Sequence, residues 1–360
     1  MDPQSQFCPN LTCTARGKKG QGNIIIHSKK EQRYRCKECE GTFSATKGTP
    51  FYRLHKPVEL MKLVITLLIH GCPPKAIEVA FGLDERTVAC WQDKAGSHAQ
   101  KLHEHLVQSQ KVELGQVQAD ELRAKLCGVV VWMAMALCVG SRLWLGGVVS
   151  PHRDNTMIKS LLSQVKACAC SIEVVLFCVD GFKSYISGIL KVFRIPLRNG
   201  RRGRPRLIVP GGLMIGQVKK TRIKRRVKEV AYRVVVGNEA IVRWMVVFTQ
   251  GDGQINTAYI ERLNATFRSV LAPLVRRTRA ILHHEHRLES AMYLVGCAYN
   301  FCWVHGSLKV TPAMAAGLAD HPWSMEELLC YKVPPPDMPV ARRRGRPPKR
   351  MQQKVMTVTP

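Results

Sequence analysis

Acidic residues are scarce in this chain. Across 360 residues, 26 Asp and Glu face 55 Lys and Arg, giving a formal charge of +29 at pH 7. A surface so charged repels itself unless a polyanion offsets it, which ranks nucleic acid first, an anionic membrane second and ribosome-type packing third. Long apolar runs are lacking too. The longest, Cys127 to Val139, has 13 residues with Gly128 inside it, where a membrane-spanning helix needs about 20. It reads as a buried strand, and no membrane partner is expected. The opening residues Met1 to Gln6 are polar and lack the apolar stretch of a secretory leader. That places the 14 cysteines in a reducing, cytoplasmic setting and argues against a disulfide framework. The 46% hydrophobic content excludes a wholly disordered chain, and the length suggests two or three domains.

Four cysteines cluster. Cys8 and Cys13 form one close pair and Cys36 and Cys39 another. Two turn-borne pairs can converge into a tetrahedral zinc site, and residues 1–50 hold few large apolar side chains, so a metal would replace a missing core. Short strand-like runs, Ile24–His27 and Gln32–Arg35, lie between the pairs, completing a zinc-ribbon pattern. His27 reads as a strand residue rather than a ligand. Residues 56–98 then read as helical. Pro73 to Phe81, a Gly82-Leu83 turn and Asp84 to Ala95 give helix, turn, helix, with Asp84 as N-cap and Ile77, Phe81, Leu83, Val88 and Trp91 as a small core. Arg86, Thr87, Gln92 and Lys94 are left to face a DNA major groove. A plain helical bundle is the alternative.

From about residue 112 the pattern changes to strands. Gly115 to Glu121 ends on acids, Gly128–Val139 and Arg142–Ser150 meet at a Gly140-Ser141 turn, His152–Val165 is amphipathic, and Glu173–Asp180 is a buried-type strand. Three antiparallel strands, a helix and a fourth strand is the order of a ribonuclease-H-like domain, which would bring Asp120 and Asp180 together. Residues 256–271 supply a third acid, Glu261, on a helix whose apolar face is Ile260, Leu263, Phe267 and Leu271, with Asn264 and Arg268 in line beside Glu261. Two aspartates and a glutamate bind paired divalent cations through hard oxygens, and such a pair serves phosphoryl transfer. Glu121, Asp154, Glu239, Asp252 and Glu289 are the acids most easily confused with these three.

The segments Val117-Gln-Ala-Asp120-Glu, Val179-Asp180-Gly and Ile255-Asn-Thr-Ala-Tyr-Ile-Glu261-Arg-Leu-Asn resemble the DDE transposases of bacterial insertion sequences, in particular the insertion-sequence-1-like group. The resemblance spans about residues 5–330 and includes the four-cysteine N-terminus. It extends to Tyr299-Asn300 and to His305-Gly-Ser307-Leu308 followed by Thr311-Pro312, although Trp303-Val304 stands where many such enzymes carry Arg-Pro, which weakens any role for His305. The resemblance implies that Asp120, Asp180 and Glu261 hold two Mg2+ (or Mn2+) ions. Water and then a transposon 3′-OH would attack DNA phosphodiesters without a covalent intermediate. Asn264 and Arg268 would orient a carboxylate or grip a phosphate. It also implies double-stranded DNA partners, both insertion-sequence ends and target, a homodimer or higher assembly that joins two ends, and a nucleoid-associated place in the bacterial cytoplasm.

Basic segments complete the chain. Arg198–Arg206 and Lys219–Arg226 lie between Asp180 and Glu261, and Arg342–Arg350 lies in a Pro-rich tail. Arg-Gly-Arg-Pro occurs twice, with Arg202 and Arg204 in one copy and Arg344 and Arg346 in the other. It resembles the core of an AT-hook, which enters narrow A·T minor grooves; plain phosphate contact is the alternative. The runs 227–236 and 241–248 read as strands. The expected architecture is multidomain: a zinc ribbon over 1–55, a helix-turn-helix domain over 56–110, and an α/β ribonuclease-H-like, mixed-sheet catalytic core over 111–330. That core carries a basic insertion at about 195–252, and a disordered basic tail follows over 331–360. The rival functions are a non-enzymatic DNA-binding regulator and a nuclease of the same fold that cuts without joining.

Overall fold

A computed structural model describes residues 1–127, 129–197, 203–223, 226–251, 253–275 and 284–336. They fall into two compact units, Met1–Ala45 with the residues from Pro334 onward, and Thr46–Val333.

The first unit is a three-stranded antiparallel meander of β1 (Ile24–Ser28), β2 (Arg33–Cys36) and β3 (Thr42–Ser44). Its core is small: Ile24, Tyr34 and Phe43 are buried with Cys8, Cys13 and Cys36, and the Tyr34 and Phe43 rings stack at 5.9 Å. So little apolar area cannot by itself offset the chain entropy of some 45 residues.

The second unit begins with α1 (Val58–Ile69), α2 (Pro74–Phe81) and α3 (Glu85–His103). Pro73 precedes α2 in extended backbone, Gly82 ends it in the left-handed region at φ +59°, and Asp84 caps α3 by accepting from the Arg86 N–H. Ile77, Leu83, Val88 and Trp91 are buried, whereas Phe81 is exposed. A π-helical turn, Glu104–Gln108, carries α3 onward to Ser109. The strands that follow are β4 (Gln116–Leu126), β5 (Val129–Cys138) and β6 (Trp144–Ser150). Then come α4 (Asn155–Cys168), β7 (Val174–Val179), α5 (Lys183–Val192), the short pair β8 (Ile195–Leu197) and β9 (Arg206–Ile208), β10 (Gly212–Ile223) and β11 (Arg226–Val236). The remaining helices are α6 (Glu239–Gln250), α7 (Ala258–Val270), α8 (Glu285–Phe301), α9 (Pro312–Ala315) and α10 (Met325–Cys330).

Six strands form one mixed sheet in the order β11-β10-β7-β4-β5-β6. β4, β5 and β6 are an antiparallel meander; β7 runs parallel to β4, β10 parallel to β7, and β11 closes the edge antiparallel to β10. One apolar core extends from Phe51, in the turn before α1, to Leu329 in α10. The helices before residue 110 therefore share a core with the sheet. Gly96 explains how closely: a Cβ there would lie 2.4 Å from the Ser290 carbonyl oxygen, so only glycine lets α3 cross α8 at that distance.

Three local expectations change. β4 does not end on its acids but continues to Leu126, because β5 pairs with it along its length, out to Leu126↔Val129. The run 241–248 is helical, within α6: Val242, Met245 and Val246 are buried at helical spacing, Asn238 caps the start and Gly251, at φ +83°, the end. The basic run from Lys219 belongs to β10, a sheet strand, so part of the stretch expected as an insertion builds the sheet itself.

Candidate active site

Among the described residues, two side-chain clusters can hold a metal ion. In the first, the sulfurs of Cys8, Cys13, Cys36 and Cys39 all lie within 4.8 Å of one another. Cys8 and Cys39 are 3.6 Å apart and Cys13 and Cys36 3.9 Å. Tetrahedral zinc with Zn–S bonds of about 2.3 Å sets sulfurs about 3.8 Å apart, so the donor set and its spacing suit zinc. The Gly41 N–H pulls the Cys39 thiol down to about 7, while burial raises Cys8 and Cys13.

The second cluster forms where β4 and β7 run side by side, with Ala119 in register with Val179. Asp120 follows on one strand and Asp180 leaves the end of the other. Carboxylate oxygens of Asp120, Glu121 and Asp180 lie within 4.8 Å of one another. Successive strand side chains point to opposite faces, so Asp120 joins Gln116 and Gln118 on the face toward α6 and α7. Glu121 joins the face toward α4 and α5. There the Tyr185 hydroxyl donates to Glu121 at 2.9 Å and Arg153 forms an ion pair with it. The Arg153 guanidinium rests on the Phe182 ring at 4.1 Å and is 4.0 Å from Asp180. The N–H of Phe182 donates to Asp180 at 2.9 Å, which fixes the turn after β7.

The electrostatics of this cluster favour a cation. Burial, then the charges of Glu121, Asp180 and Glu261, push Asp120 up to about 7, against the Glu121 N–H that donates to it. Burial and the charge of Asp180 also raise Glu121, with Arg153 opposing. Tyr185 is raised well above the usual phenol range by burial and by Glu121. Carboxylates held this close do not all ionise without counter-charge.

Glu261 lines the same cleft, of about 580 Å³, as Asp120, Asp180, Lys219 and Lys220, but it is not in the 4.8 Å set. Its Oε1 accepts from Lys220 Nζ at 2.5 Å and from the Thr257 hydroxyl at 2.9 Å. Asn264, one turn on, is buried and donates to Asp120 at 2.8 Å. Arg268 is half-buried a turn further along and does not line the cleft. Of the three acids singled out in the sequence, the structure thus brings Asp120 and Asp180 together with Glu121, and sets Glu261 on the cleft wall.

Gln118 carries a role that local sequence does not show. Its Oε1 accepts from the N–H groups of Tyr259 and Ile260, at 3.1 and 3.0 Å, and its Nε2 donates to the Asn256 carbonyl at 2.9 Å. The N-terminus of α7 is therefore capped by a sheet residue two positions before Asp120, which ties Asn264 and Glu261 to the strand that carries the acid. Local sequence shows it only as one of several polar residues in β4, alternating with Val117 and Ala119. Gln217 acts similarly from β10, donating to the Asp180 carbonyl at 3.0 Å.

The α3 candidates divide between two surfaces. Arg86 is exposed and lines one cleft with Lys94, Lys101 and Arg287; Gln92 lines another, beside Glu85; and Thr87 is half-buried in neither. Arg204 is exposed just before β9. Arg202, Arg344 and Arg346 lie outside the described residues, as does the tail from 337. Among the described residues, no helix is long and apolar enough to cross a membrane. No protein-family model matches the chain. No curated protein matches it either.

Proposed function

We propose that the chain is a transposase of the DDE kind, which cuts DNA phosphodiesters and joins the resulting 3′-OH ends to target DNA with the help of Mg2+ or Mn2+. The observation that carries this reading is the pair Asp120 and Asp180, on neighbouring parallel strands of a mixed sheet, in a cleft whose other wall is Glu261 on α7 with Lys219 and Lys220 on β10. Carboxylates at that strand junction would hold the divalent cations, which stabilise the attacking and leaving oxygens of an in-line displacement. The lysines supply charge for the phosphodiester backbone. Asn264 orients Asp120 from α7, and Glu121, anchored by Tyr185 and Arg153, stiffens the floor of the site or adds a ligand to it. The four-cysteine module, filled with zinc, the α2–α3 pair and the Arg-rich segments add DNA-holding surface, and a dimer or larger assembly would present two ends at once.

The test is a linear DNA carrying the sequences that flank the coding region, incubated with the protein and Mg2+. The expected products are cleaved ends joined to a second DNA; Asp180→Asn should bind the same DNA and yield neither. Cleavage without joining would make the protein a nuclease, and Mg2+-independent function of Asp180→Asn equal to wild type would make it a binding protein only.

A further inference from the structure

The face of α7 that turns away from Glu261 lines a second cleft, of about 530 Å³. Tyr259, Arg262 and Thr266 face it from the helix, Arg142 from the β5–β6 turn, and Tyr299, Trp303 and His305 from the end of α8 and the segment after it. Glu261 and Asn264 project from the opposite side of the helix, which is about 10–12 Å across. The cleft has two guanidinium groups and no carboxylate in its lining. Its positive potential is felt by His305, which burial first and then the charges of Arg142 and Arg262 hold below the usual imidazole range.

Arg142 is held there at some cost. Its backbone lies in the left-handed region at φ +59°, a conformation that disfavours a side chain with a Cβ. The Tyr299 hydroxyl donates to its carbonyl at 3.1 Å, which locks the turn. Its guanidinium carbon sits 3.8 Å from the centre of the Tyr259 ring, and its Nε and Nη1 are buried with no hydrogen-bond partner. A strained, desolvated arginine without an acid beside it is completed by an anion. Next to it Trp303 is half-buried, with its ring edge-to-face against Tyr299 at 6.5 Å. Beside these the Ser307 hydroxyl and His305 Nδ1 are 3.0 Å apart and add hydrogen-bonding capacity at the rim.

We infer that this cleft binds one unpaired nucleotide of a DNA strand, the phosphate on Arg142 and Arg262 and the base stacked against Trp303. Cationic grooves lined with aromatic faces take single-stranded nucleic acid in this way. The choice of DNA as the polyanion rests on the proposed function; the charge and ring geometry do not depend on it. The Trp303-Val304 pair, where the resemblance has Arg-Pro, then supplies the stacking surface.

The test uses a short single-stranded DNA carrying 2-aminopurine, whose fluorescence falls on stacking, with the full chain and no added divalent cation. Quenching is expected with wild type. Arg262→Gln and Trp303→Ala should weaken binding or quenching by roughly tenfold or more, as loss of one stacking or phosphate contact implies, and Trp303→Phe should retain most of both. Arg262 is exposed, so its replacement reports on the cleft even if Arg142→Gln does not fold. Unchanged affinity and quenching in Arg262→Gln and Trp303→Ala, with thermal unfolding unchanged, would overturn the inference. A free deoxynucleoside monophosphate that displaces the strand at equal concentration would overturn the strand as the ligand. Strand binding here without any Mg2+-dependent joining would sink the transposase reading and leave this one standing. Joining that is indifferent to these variants, alongside their unchanged strand binding, would do the reverse.

Discussion

Replacing Asp120 by asparagine should stabilise the protein when no divalent cation is added. The surroundings of Asp120 raise its pKa from 3.8 to about 7. An acid whose folded pKa exceeds its unfolded one holds its proton where the unfolded chain has lost it, so its stability contribution is full below pH 3.8 and is lost as pH rises to about 7. At about 1.4 kcal/mol for each pKa unit, the loss by pH 8 is about 4 kcal/mol. Asparagine cannot ionise and keeps the shape. It can, however, accept only one of the two hydrogen bonds that reach the carboxylate, from the Glu121 N–H at 2.9 Å and Asn264 Nδ2 at 2.8 Å, and one lost bond costs about 1 kcal/mol. A net gain of about 3 kcal/mol at pH 8 follows, or a rise in Tm of roughly 5–10 °C for a unit of this size. At pH 4 the gain should vanish. Thermal unfolding of zinc-loaded wild type and Asp120→Asn at both pH values measures it, and adding Mg2+ should then stabilise wild type alone. An equal or lower Tm for the variant at pH 8, or the same gain at pH 4, would refute the electrostatic account of the site.

Other consequences are as direct. Cys36→Ser should lower zinc content from about one per chain to near zero and open residues 1–45 to trypsin, because a small metal module draws most of its folding energy from the ion; zinc content and proteolysis check this. Gln118→Leu removes the cap of α7, which should cost roughly 2 kcal/mol in urea unfolding. It should also lower strand transfer about tenfold with duplex binding retained. His98 and His103 are buried and held down to about 4, chiefly by desolvation. Between pH 6.5 and 4 the unfolded chain takes up two protons that the folded one refuses. The two histidines should therefore cost stability as pH falls, by up to about 3 kcal/mol each, opposed over the same range by the proton that folded Asp120 takes up, and His103→Gln should remove about 1.4 kcal/mol per pH unit from the pH dependence of urea stability.

What the sequence makes legible are features set by short-range pattern. The cysteine pairs announce a shared ligand, and the order of strands puts Asp120 and Asp180 on neighbours. Asp84 and the glycine after Phe81 mark helix ends by local chemistry. Elsewhere, tertiary packing decides. The β-branched run in 241–248 has strand propensity, yet its apolar face fits a helix once Asn238 and Gly251 cap it. β10 is hidden by its lysines, because only half of the strand lies against β7 and the rest pairs with β11 alone. Glu121 looks like a bystander of Asp120 until Tyr185 and Arg153 are seen to hold it. Gln118 and Arg142 act on α7 across more than a hundred residues, which no local window can show.

The proposed function has cations held at Asp120 and Asp180 act on the scissile phosphodiester. It is tested most directly by replacing the bridging 3′ oxygen at the cleavage site with sulfur and following single-turnover cleavage. Mg2+ is a hard cation and the more thiophilic Mn2+ accepts sulfur better, so the account predicts slow cleavage in Mg2+ and recovery in Mn2+, with the all-oxygen substrate cleaved in both. Sulfur substrate cleaved at the same rate with either ion would contradict it.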